Sequence, residues 1–287
     1  MDIKNLTYFK TIAEKGSFSL AAKTLHISQP SLSNAIKNLE NRLESKLFER
    51  TTREVFLTEA GEILLEKTKN ILLEVEKTHK EMNEVKLIGK GTLIIGMVES
   101  AKQWIPMIIK EFTKKHPNIN IKLKELSPDE IKVDLDKYQI HVGITSSKID
   151  DPLFTNSLIF NDKLVLSTFA SHKFANESSL NIKQLNNEIL IHSLSGYYIR
   201  ERMINECKKA GFEPIIRFET ESLEAGQQLV RIGLGSAIVP ESFIKNNYND
   251  GIKKIYFDDD SLNRDIYVAY IKNRHLPPAI YDFINIM

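Results

Sequence analysis

Apolar residues recur at helical spacing within residues 18–25 and again within residues 32–43. This spacing places them on one face of each of two amphipathic helices that are joined by a tight connection. Two such faces bury their apolar area by packing against each other. The predicted buried positions are Phe18, Ala21, Ala22 and Leu25 in the first helix and Leu32, Ile36, Leu39 and Leu43 in the second.

The second helix has a clear N-terminal signal and an exposed polar row. Ser28 suits the N-cap, and Pro30 suits the first turn, where its missing N–H loses no hydrogen bond. Gln29 and Asn34 carry amides that can pair with adenine in a major groove, and the free N–H groups of the helix can face a phosphate. A polar row alone is equally typical of a solvated face. The predicted DNA-contacting residues of this helix are Ser28, Gln29, Pro30, Ser31, Ser33, Asn34 and Lys37.

A short basic hairpin follows the helix pair. Residues 47–58 read as an apolar anchor, a Thr-Thr tip between Arg50 and Arg53, and a helix cap. Such a hairpin is typical of a wing that reaches phosphates or a minor groove, although an ordinary surface turn has the same pattern. We predict that Arg50, Thr51 and Arg53 contact DNA. Residues 1–58, with nine Lys and Arg against six Asp and Glu, are therefore predicted to form a winged helix-turn-helix DNA-binding domain.

Residues 59–89 are predicted to form a long linker helix. Its apolar residues recur at alternating steps of four and three, which is a heptad seam. The rest of its surface is rich in Glu and Lys, which favours pairing with a second copy, although the same face could pack on its own chain. We predict a homodimer, whose two-fold symmetry requires an inverted-repeat operator in double-stranded DNA. The predicted dimerisation residues are Leu64, Ile71, Val75 and Met82, in a seam that also contains Thr68, Thr78 and Val85.

From residue 91 onward, the pattern changes to short apolar strands alternating with helical stretches. This alternation is typical of an α/β architecture, here with two groups of strands and hence two lobes around a cleft. Open α/β sheets bind ligands at the C-terminal ends of their strands. The predicted strands lie at residues 92–96, 119–123 and 140–144 in the first group and at 163–169, 188–192 and 236–239 in the second.

The loops after these strands supply the candidate effector-binding residues. Ser100, followed three residues later by Gln103, matches a capping box whose amides could hold an anion. Hydroxyls and amides suit a carboxylate, whereas Glu99 would repel one, so the charge of the ligand stays open. Taken singly, each residue is better explained by helix capping or a turn. The candidates are Glu99, Ser100, Ala101, Ser127, Thr145, Ser146, His192, Ser193, Gly196 and Thr220.

Several short motifs stand in register near the N-terminus: Ala21-Ala22, Leu25, Ser28-Gln29-Pro30, Ser33, Ile36, Leu39-Glu40, Leu47-Phe48, Arg50, Arg53, Leu57-Thr58 and Ala60-Gly61. Together they resemble the LysR-type transcriptional regulator family. The resemblance extends more loosely through residues 91–96 and 233–240. It departs at Lys173, where a proline is common, and at Glu44, where the family usually has a glycine. A left-handed helix end at Glu44 would be strained.

The resemblance implies a periplasmic-binding-protein-like effector domain over residues 90–287. Its lobe I would span about 90–161 and 267–287, and its lobe II about 162–266, with crossings near 161–163 and 264–266. It further implies small-molecule effectors, often carboxylates or amino acids, tetramers built from dimers, and RNA polymerase as a candidate partner. The predicted function is sequence-specific transcriptional regulation in which an effector between the lobes controls operator binding or DNA bending.

The remaining features bear on alternatives. The single cysteine, Cys207, excludes an internal disulfide framework and is interpreted as half-buried. No signal segment and no membrane-length apolar run are present, so we expect a cytoplasmic protein. No metal or other cofactor is expected, because no metal-ligand spacing or phosphate-binding glycine loop occurs. The alternative is a metabolite-binding protein, or a hydrolase using His192, Ser193 and Glu221; without a nucleophile-elbow pattern we expect no enzyme.

Overall fold

The structure is a computed structural model that describes residues 1–50, 55–85, 90–194, 198–244, 251–258 and 262–287. The chain divides into two compact units, Met1–Asn83 and Glu84–Met287. Each unit has its own hydrophobic core. Among the described residues, no helix has both the length and the apolar character that a membrane span requires.

The first unit is a helical cluster with a two-stranded hairpin. The helices α1, α2 and α3 pack around Phe9, Leu32 and Ile36, which are fully buried. Phe48 of the first strand joins this core through ring contacts with Phe9 and Phe18. The elements are α1 (Ile3–Lys15), α2 (Phe18–Thr24), α3 (Gln29–Leu43), β1 (Phe48–Arg50), β2 (Val55–Leu57) and α4 (Glu59–Val85), with β1 and β2 antiparallel.

The end of α3 differs from the expected pattern. Leu43, predicted on the buried face, is 37% exposed because it lies in the last turn of the helix, whereas Glu40 is buried. The helix ends at Glu44, which adopts the left-handed conformation with φ 50° and ψ 30°. The amides of Glu44 and Ser45 donate to the carbonyl groups of Asn41 and Glu40. These bonds close the helix end and offset the strain of a side chain at positive φ.

The long helix α4 starts directly against the hairpin. Thr58 donates its hydroxyl to the carbonyl of Lys46 and accepts the amide of Gly61. A Cβ at Gly61 would lie 2.2 Å from the carbonyl oxygen of Leu47, so only glycine permits this approach. Along the predicted seam, Thr68 is buried, Leu64, Ile71 and Val75 are half-buried, and Thr78, Met82 and Val85 are exposed.

The second unit contains two α/β lobes, each built on one sheet. In lobe I the strand order is β4-β3-β5-β13-β6, and in lobe II it is β10-β9-β11-β7-β12-β8. The strands are β3 (Gly91–Met97), β4 (Ile119–Glu125), β5 (Val142–Thr145), β6 (Phe154–Asp162), β7 (Leu164–Phe169), β8 (Ser179–Leu180), β9 (Ile189–Ser193), β10 (Ile215–Thr220), β11 (Ser236–Pro240), β12 (Ile252–Phe257) and β13 (Arg264–Ile271).

The helices of this unit follow the strands. In lobe I, β3 pairs in parallel with β4 and β5, as the alternation of strands and helices predicts. The helices are α5 (Ile105–Lys115), α6 (Pro128–Asp136), α7 (Tyr198–Lys209), α8 (Leu223–Arg231), α9 (Glu241–Ile244) and α10 (Pro278–Ile286), with short 3-10 turns at Glu99–Gln103 and Ile182–Leu185.

Two segments of the chain cross between the lobes. The first crossing runs from Asp162, the last residue of β6, to Leu164, the first of β7. On the return, residues Arg264–Ile266 already pair with β6 in the sheet of lobe I, with Arg264 opposite Asp162. Strand pairing therefore assigns Asp162 and residues 264–266 to lobe I, whereas the sequence-based boundary had put them in lobe II. Hydrogen bonding across β6 and β13, which no local pattern reveals, decides this assignment.

Cys207 belongs to the core of lobe II and is fully buried, not half-buried as expected. Its thiol contacts Met203 one turn earlier on α7. Burial raises the pKa of this thiol to about 11, and the charges of Glu206 and Glu213 act in the same direction. Cys207 is therefore a protonated core residue at neutral pH.

Candidate functional site

The predicted DNA-contacting residues of α3 lie along one open surface. Ser28 caps the helix by accepting the amide of Ser31 at 3.3 Å, and the two hydroxyls lie 2.7 Å apart. Among the predicted residues, Ser33 is half-buried and the others are exposed: Ser28, Gln29, Pro30, Ser31, Asn34 and Lys37. The opposite face of α3 packs in the core, so this polar surface is accessible to the major groove of DNA.

The side chain of Gln29 is already held in place. Its Oε1 accepts the hydroxyl of Ser19, on α2, at 2.8 Å. This contact orients the side-chain amide and leaves its NH₂ group to donate to a base or a phosphate. Bidentate pairing with adenine would require Ser19 to release Oε1. In the hairpin, Arg50 ends β1, and the predicted contacts Thr51 and Arg53 lie outside the described residues.

Glu40 also belongs to α3, and the sequence-based set of site residues did not include it. Its carboxylate is buried and accepts the amide of Leu47 at 2.9 Å, while Lys46 forms an ion pair with the other oxygen at 3.2 Å. The recognition helix is thereby tied to the start of the hairpin. A buried acid three residues before the last residue of an amphipathic helix resembles any exposed Glu in the sequence, and only its place in the Leu39-Glu40 motif distinguished it.

In lobe I the predicted loop after β3 is not an open anion site. The turn Glu99–Gln103 has Val98 at its N-cap without a side-chain hydrogen bond, so the expected Ser100–Gln103 capping box is wrong. Ser100 is buried and accepts Nη2 of Arg264 at 2.6 Å, and Ala101 packs in the lobe I core. These two side chains present almost no surface to a ligand.

Glu99 bridges to the other lobe. Its carboxylate oxygens accept the amide of Leu223 at 2.9 and 3.0 Å, and the hydroxyl of Ser222 donates to Oε1 at 3.1 Å. Burial raises the pKa of Glu99, as does the charge of Glu125, while the hydrogen bonds from Leu223 and Ser222 and the charge of Lys102 oppose the rise. The neighbouring Lys102 forms an ion pair with Glu125.

The other predicted residues of lobe I lie at the ends of β4 and β5. Ser127 forms a capping box at the start of α6, since its Oγ accepts the amide of Glu130 and the Glu130 carboxylate accepts the amide of Ser127. Thr145 is fully buried and Ser146 nearly so. Helix capping thus explains the position of Ser127, and the capping box expected at Ser100 occurs here instead.

In lobe II, His192 lies at the end of β9 with an enclosed ring. Its Nδ1 accepts the amide of Ser193 at 2.8 Å, and among the described residues its buried Nε2 has no hydrogen-bond partner. Burial lowers the pKa of His192 to about 4, and the charge of Arg200 lowers it further, so the ring is neutral at pH 7. Because Nδ1 accepts, the proton of the neutral ring resides on Nε2, where it can donate to a ligand.

This geometry does not assemble the alternative hydrolytic group. The Ser193 hydroxyl lies 3.1 Å from Nδ1 of His192, which also accepts the backbone amide of Ser193, but among the described residues no carboxylate pairs with Nε2 to complete a triad. Glu221 is exposed. Thr220 donates its hydroxyl to the carbonyl of Ser222 at 2.9 Å, and Gly196 lies outside the described residues.

Arg200 organises the same end of lobe II. It donates to the carbonyl of Ser193 at 2.6 Å and forms a two-point ion pair with Glu219, at 2.9 and 3.2 Å. Residues of both lobes line a polar cavity of about 520 Å³ beside the crossing strands. Only Ser146 among the predicted effector residues belongs to this lining, which comprises Ser146, Ser147, Lys148, Asn161, Arg202, Asn263, Arg264, Asp265 and Tyr267.

Two family models match nearly the whole chain. The model described as "Bacterial regulatory helix-turn-helix protein, lysR family" matches residues 3–62, and that described as "LysR substrate binding domain" matches residues 89–287. Together they cover the helix-turn-helix surface and both lobes of the second unit.

Individual proteins match over the same length. The HTH-type transcriptional regulator AlsR of Bacillus subtilis is 32% identical over 289 residues, which covers 100% of this chain and 95% of the relative. The transcriptional dual regulator GltC of the same organism is 29% identical, covering 99% of this chain and 95% of the relative. The crystal structure of full-length CbnR complexed with its target DNA superposes with a TM-score of 0.60 at 26% identity, covering 100% of this chain and 98% of that one.

The relatives are transcriptional regulators, and the solved structures show the same arrangement of a helix-turn-helix domain followed by a two-lobed domain. The matched residues of this chain include the surface of α3 as well as the cleft region between the two sheets. The chain therefore belongs to the LysR family of DNA-binding transcriptional regulators that carry an effector-binding domain.

Proposed function

We propose that this regulator acts in the cytoplasm as a homodimer that recognises an inverted-repeat operator under the control of a small carboxylate or amino acid. In this proposal residues 1–58 read DNA, residues 59–89 pair two copies, and residues 90–287 bind the effector. Assembly into tetramers and contact with RNA polymerase stay predictions from the family resemblance.

The observation that carries the proposed DNA reading is the polar row of α3. Ser28, Gln29, Ser31, Asn34 and Lys37 are exposed together, although the same helix buries Leu32, Ile36 and Leu39 completely. Such side chains can donate to and accept from base edges, while Lys37 can meet a phosphate. Arg50 and Arg53 would add phosphate or minor-groove contacts from the hairpin.

The surface of α4 supports the proposed pairing of two copies. Ile71 and Val75 leave part of their apolar surface exposed, and they line a shallow concavity of about 460 Å³ together with Asn70, Glu74, Thr78 and His79. A heptad seam of this kind buries its apolar side chains when two helices pair. We therefore retain Ile71, Val75 and Met82 as the dimerisation residues, whereas Leu64 packs against the core of its own unit.

The polar cavity beside the crossing strands supports the proposed class of effector. Its lining includes the cations Lys148 and Arg202 and the carboxylate of Asp265. Asn161 and Tyr267 donate to the two oxygens of Asp265, and these hydrogen bonds lower its pKa. A cavity with both signs of charge suits a carboxylate or an amino acid. The neutral His192 could supply a further hydrogen-bond donor from lobe II.

The control of DNA by the effector requires a difference in affinity. An effector that binds one arrangement of the lobes better than another shifts the population toward that arrangement. A coupling free energy of about 1–3 kcal/mol would change operator occupancy by roughly 5- to 150-fold. We propose that this shift changes the spacing of the two DNA-reading helices and the bend of the DNA.

A footprint of the purified full chain on the DNA upstream of its own gene tests the proposal. We expect protection of an inverted repeat, and a panel of carboxylates and amino acids should contain one that shortens or shifts the protected region. Gln29→Ala and Asn34→Ala should each cost about 1–3 kcal/mol on the operator and little on random DNA. Arg50→Ala should weaken both DNAs alike and reduce the salt dependence.

Asn38→Ala provides the matched control, because Asn38 is an exposed amide of α3 outside the predicted set. Its footprint should equal that of the unmodified chain. Equal losses on operator and random DNA for Gln29→Ala would contradict its assignment as a base reader. Absence of sequence-specific protection at every salt concentration would favour the alternative of a metabolite-binding protein.

A further inference from the structure

Glu99 of lobe I and the first turn of α8 in lobe II form one cross-lobe contact. Glu99 follows β3 in the 3-10 turn, whereas Ser222 and Leu223 are the N-cap and first residue of α8. The Leu223 amide and the Ser222 hydroxyl donate to the carboxylate at distances between 2.9 and 3.1 Å. A single side chain therefore spans the cleft.

The contact completes the hydrogen bonding of the α8 N-terminus. The first amides of a helix have no partner within the helix. Ser222 accepts the amides of Glu224 and Ala225, at 3.2 and 3.4 Å, and Glu99 accepts the amide of Leu223. One partner thus comes from the lobe of α8 itself and the other from the opposite lobe. A carboxylate is also favoured at this end of a helix by the helix dipole.

Water can replace the hydrogen-bond partners in the contact of Glu99 with α8. The donors to Glu99 are a neutral amide and a neutral hydroxyl, and the neighbouring cation Lys102 is ion-paired with Glu125. Burial and the charge of Glu125 raise the pKa of Glu99, and Glu224 lies close enough to act on Lys102. Water could replace either side of the contact, since the carboxylate is only partly buried.

We propose that Glu99 is a latch that holds the two lobes together and opens when the arrangement of the lobes changes. The latch closes the lobes through residues of this chain alone. It goes beyond the proposed function, because it assigns a direct contact between the lobes whichever effector binds. Release of Glu99 leaves the Leu223 amide and the Ser222 hydroxyl free to bind water.

Distance measurement between spin labels on the two lobes tests the latch. Asp129 in the first turn of α6 and Glu201 in the first turn of α7 are both exposed, and Asp129→Cys and Glu201→Cys would carry the labels. The native Cys207 is fully buried and should not react. The full chain is used, diluted with unlabelled chain so that distances within one copy dominate. No DNA and no effector are present.

Glu99→Ala should increase the fraction of the longer distance by about tenfold, as expected for loss of a hydrogen bond to a charged group. Glu111→Ala is the matched control, because the contact of Glu111 with Lys114 stays within α5 of lobe I. It should retain the original distance distribution. A folded Glu99→Ala chain with the distribution of the unmodified chain would overturn the latch and leave the proposed effector cleft untouched.

Leu223→Pro gives an independent second variant. Proline is tolerated at the first position of a helix, and Ser222 already has the extended conformation that a following proline requires, with φ −127° and ψ 134°. This change removes the amide donor and keeps Glu99 and the Ser222 hydroxyl. It should open the lobes in the same direction as Glu99→Ala, and the double variant should open them no further than Glu99→Ala alone. Additive opening in the double variant would contradict a shared contact.

Discussion

Two carboxylates bridge the lobes of the effector domain, and their surroundings differ. Asp162 is buried, forms an ion pair with Arg264 at 3.1 Å and accepts both the amide and the hydroxyl of Ser242. Glu99 is half-buried and accepts only neutral donors. The first contact lies where the chain crosses between lobes, and the second lies across the cleft.

The two contacts differ in the electrostatic cost of breaking them. Arg264 is also buried, so separating it from Asp162 would leave two charges without compensation in a medium of low polarity. Burial lowers the pKa of Arg264, and the charge of Asp162 opposes this effect. Separation of Glu99 from Ser222 and Leu223 leaves neutral donors and no buried cation without its counter-charge. Asp162 therefore stays paired with Arg264 on the neighbouring strand of lobe I and reaches lobe II through Ser242, whereas Glu99 accepts from a neutral amide and a neutral hydroxyl and has no such ion pair.

The largest effect is expected from Asp162→Ala. The change leaves Arg264 buried without its counter-charge, which should lower the free energy of unfolding of the effector domain by about 3–5 kcal/mol. Urea denaturation followed by circular dichroism measures the loss. Asp265→Ala, on the same pair of strands, removes only hydrogen bonds from Asn161 and Tyr267 and should cost about 1 kcal/mol. Equal losses of unfolding free energy for Asp162→Ala and Asp265→Ala would show that the buried counter-charge gives Asp162 no special role.

Glu84→Ala separates the effect of a counter-charge from that of bridging the lobes. Glu84, the first residue of the second unit, pairs with the buried Arg274 at 2.7 Å and accepts Nε2 of His141 at 3.1 Å, without involving lobe II. We expect a loss of about 2–4 kcal/mol in the same urea experiment, because Arg274 stays buried and charged. If Glu84→Ala lowered the free energy of unfolding no more than Asp265→Ala does, the loss of a counter-charge would not explain the effect of Asp162→Ala.

The smallest effect concerns the pH dependence of stability. Burial would raise the pKa of Glu84 and of Glu188, but their partners outweigh it and the net pKa of each is lowered from 4.5. Their stabilising contribution is thus fully present above pH 4.5 and is lost as the pH falls through the lowered pKa. The raised pKa of Glu99 has the opposite sign, since ionisation of Glu99 costs stability as the pH rises.

Glu99→Gln should therefore become more stable relative to the unmodified chain as the pH rises from acid to neutral. The change should stay below about 1 kcal/mol, because Glu99 is only partly buried. Urea denaturation at several pH values measures it, with Glu177→Gln, a change at an exposed acid of lobe II, as the control. A variant that instead loses stability toward neutral pH would show that the ionised Glu99 stabilises the closed lobes more than burial penalises it.

The helix-turn-helix was predictable because its signals are local. The apolar spacing of α2 and α3, the N-cap Ser28 and the proline after it all act within a few residues, and the structure has the same elements. Glu44 shows the limit of such reasoning. The sequence identified the strain at a non-glycine helix end, while the observed left-handed conformation depends on hydrogen bonds from residues 44 and 45 to the preceding turn.

The effector cleft was less predictable, because the contacts of its residues are not local in the sequence. Six strands were expected at nearly the observed positions, but β6, β8, β10, β12 and β13 were not predicted, and the partners of the loop residues come from distant parts of the chain. Ser100 was expected to cap its own helix and instead accepts a hydrogen bond from Arg264. Glu99 contacts residues more than one hundred positions away. Local spacing contains no information on such pairs, because they form only when both sheets have folded.

By itself, the sequence determined the order of a helix-turn-helix, a long helix and an α/β domain, since hydrophobic periodicity and capping act over short distances. It also identified the polar row of α3, which a single helix surface defines. Only the tertiary structure decided that Asp162 pairs with Arg264 on the neighbouring strand and that Glu99 links the two lobes. Burial and the choice of a charged or neutral partner set those roles, and both are properties of the folded chain.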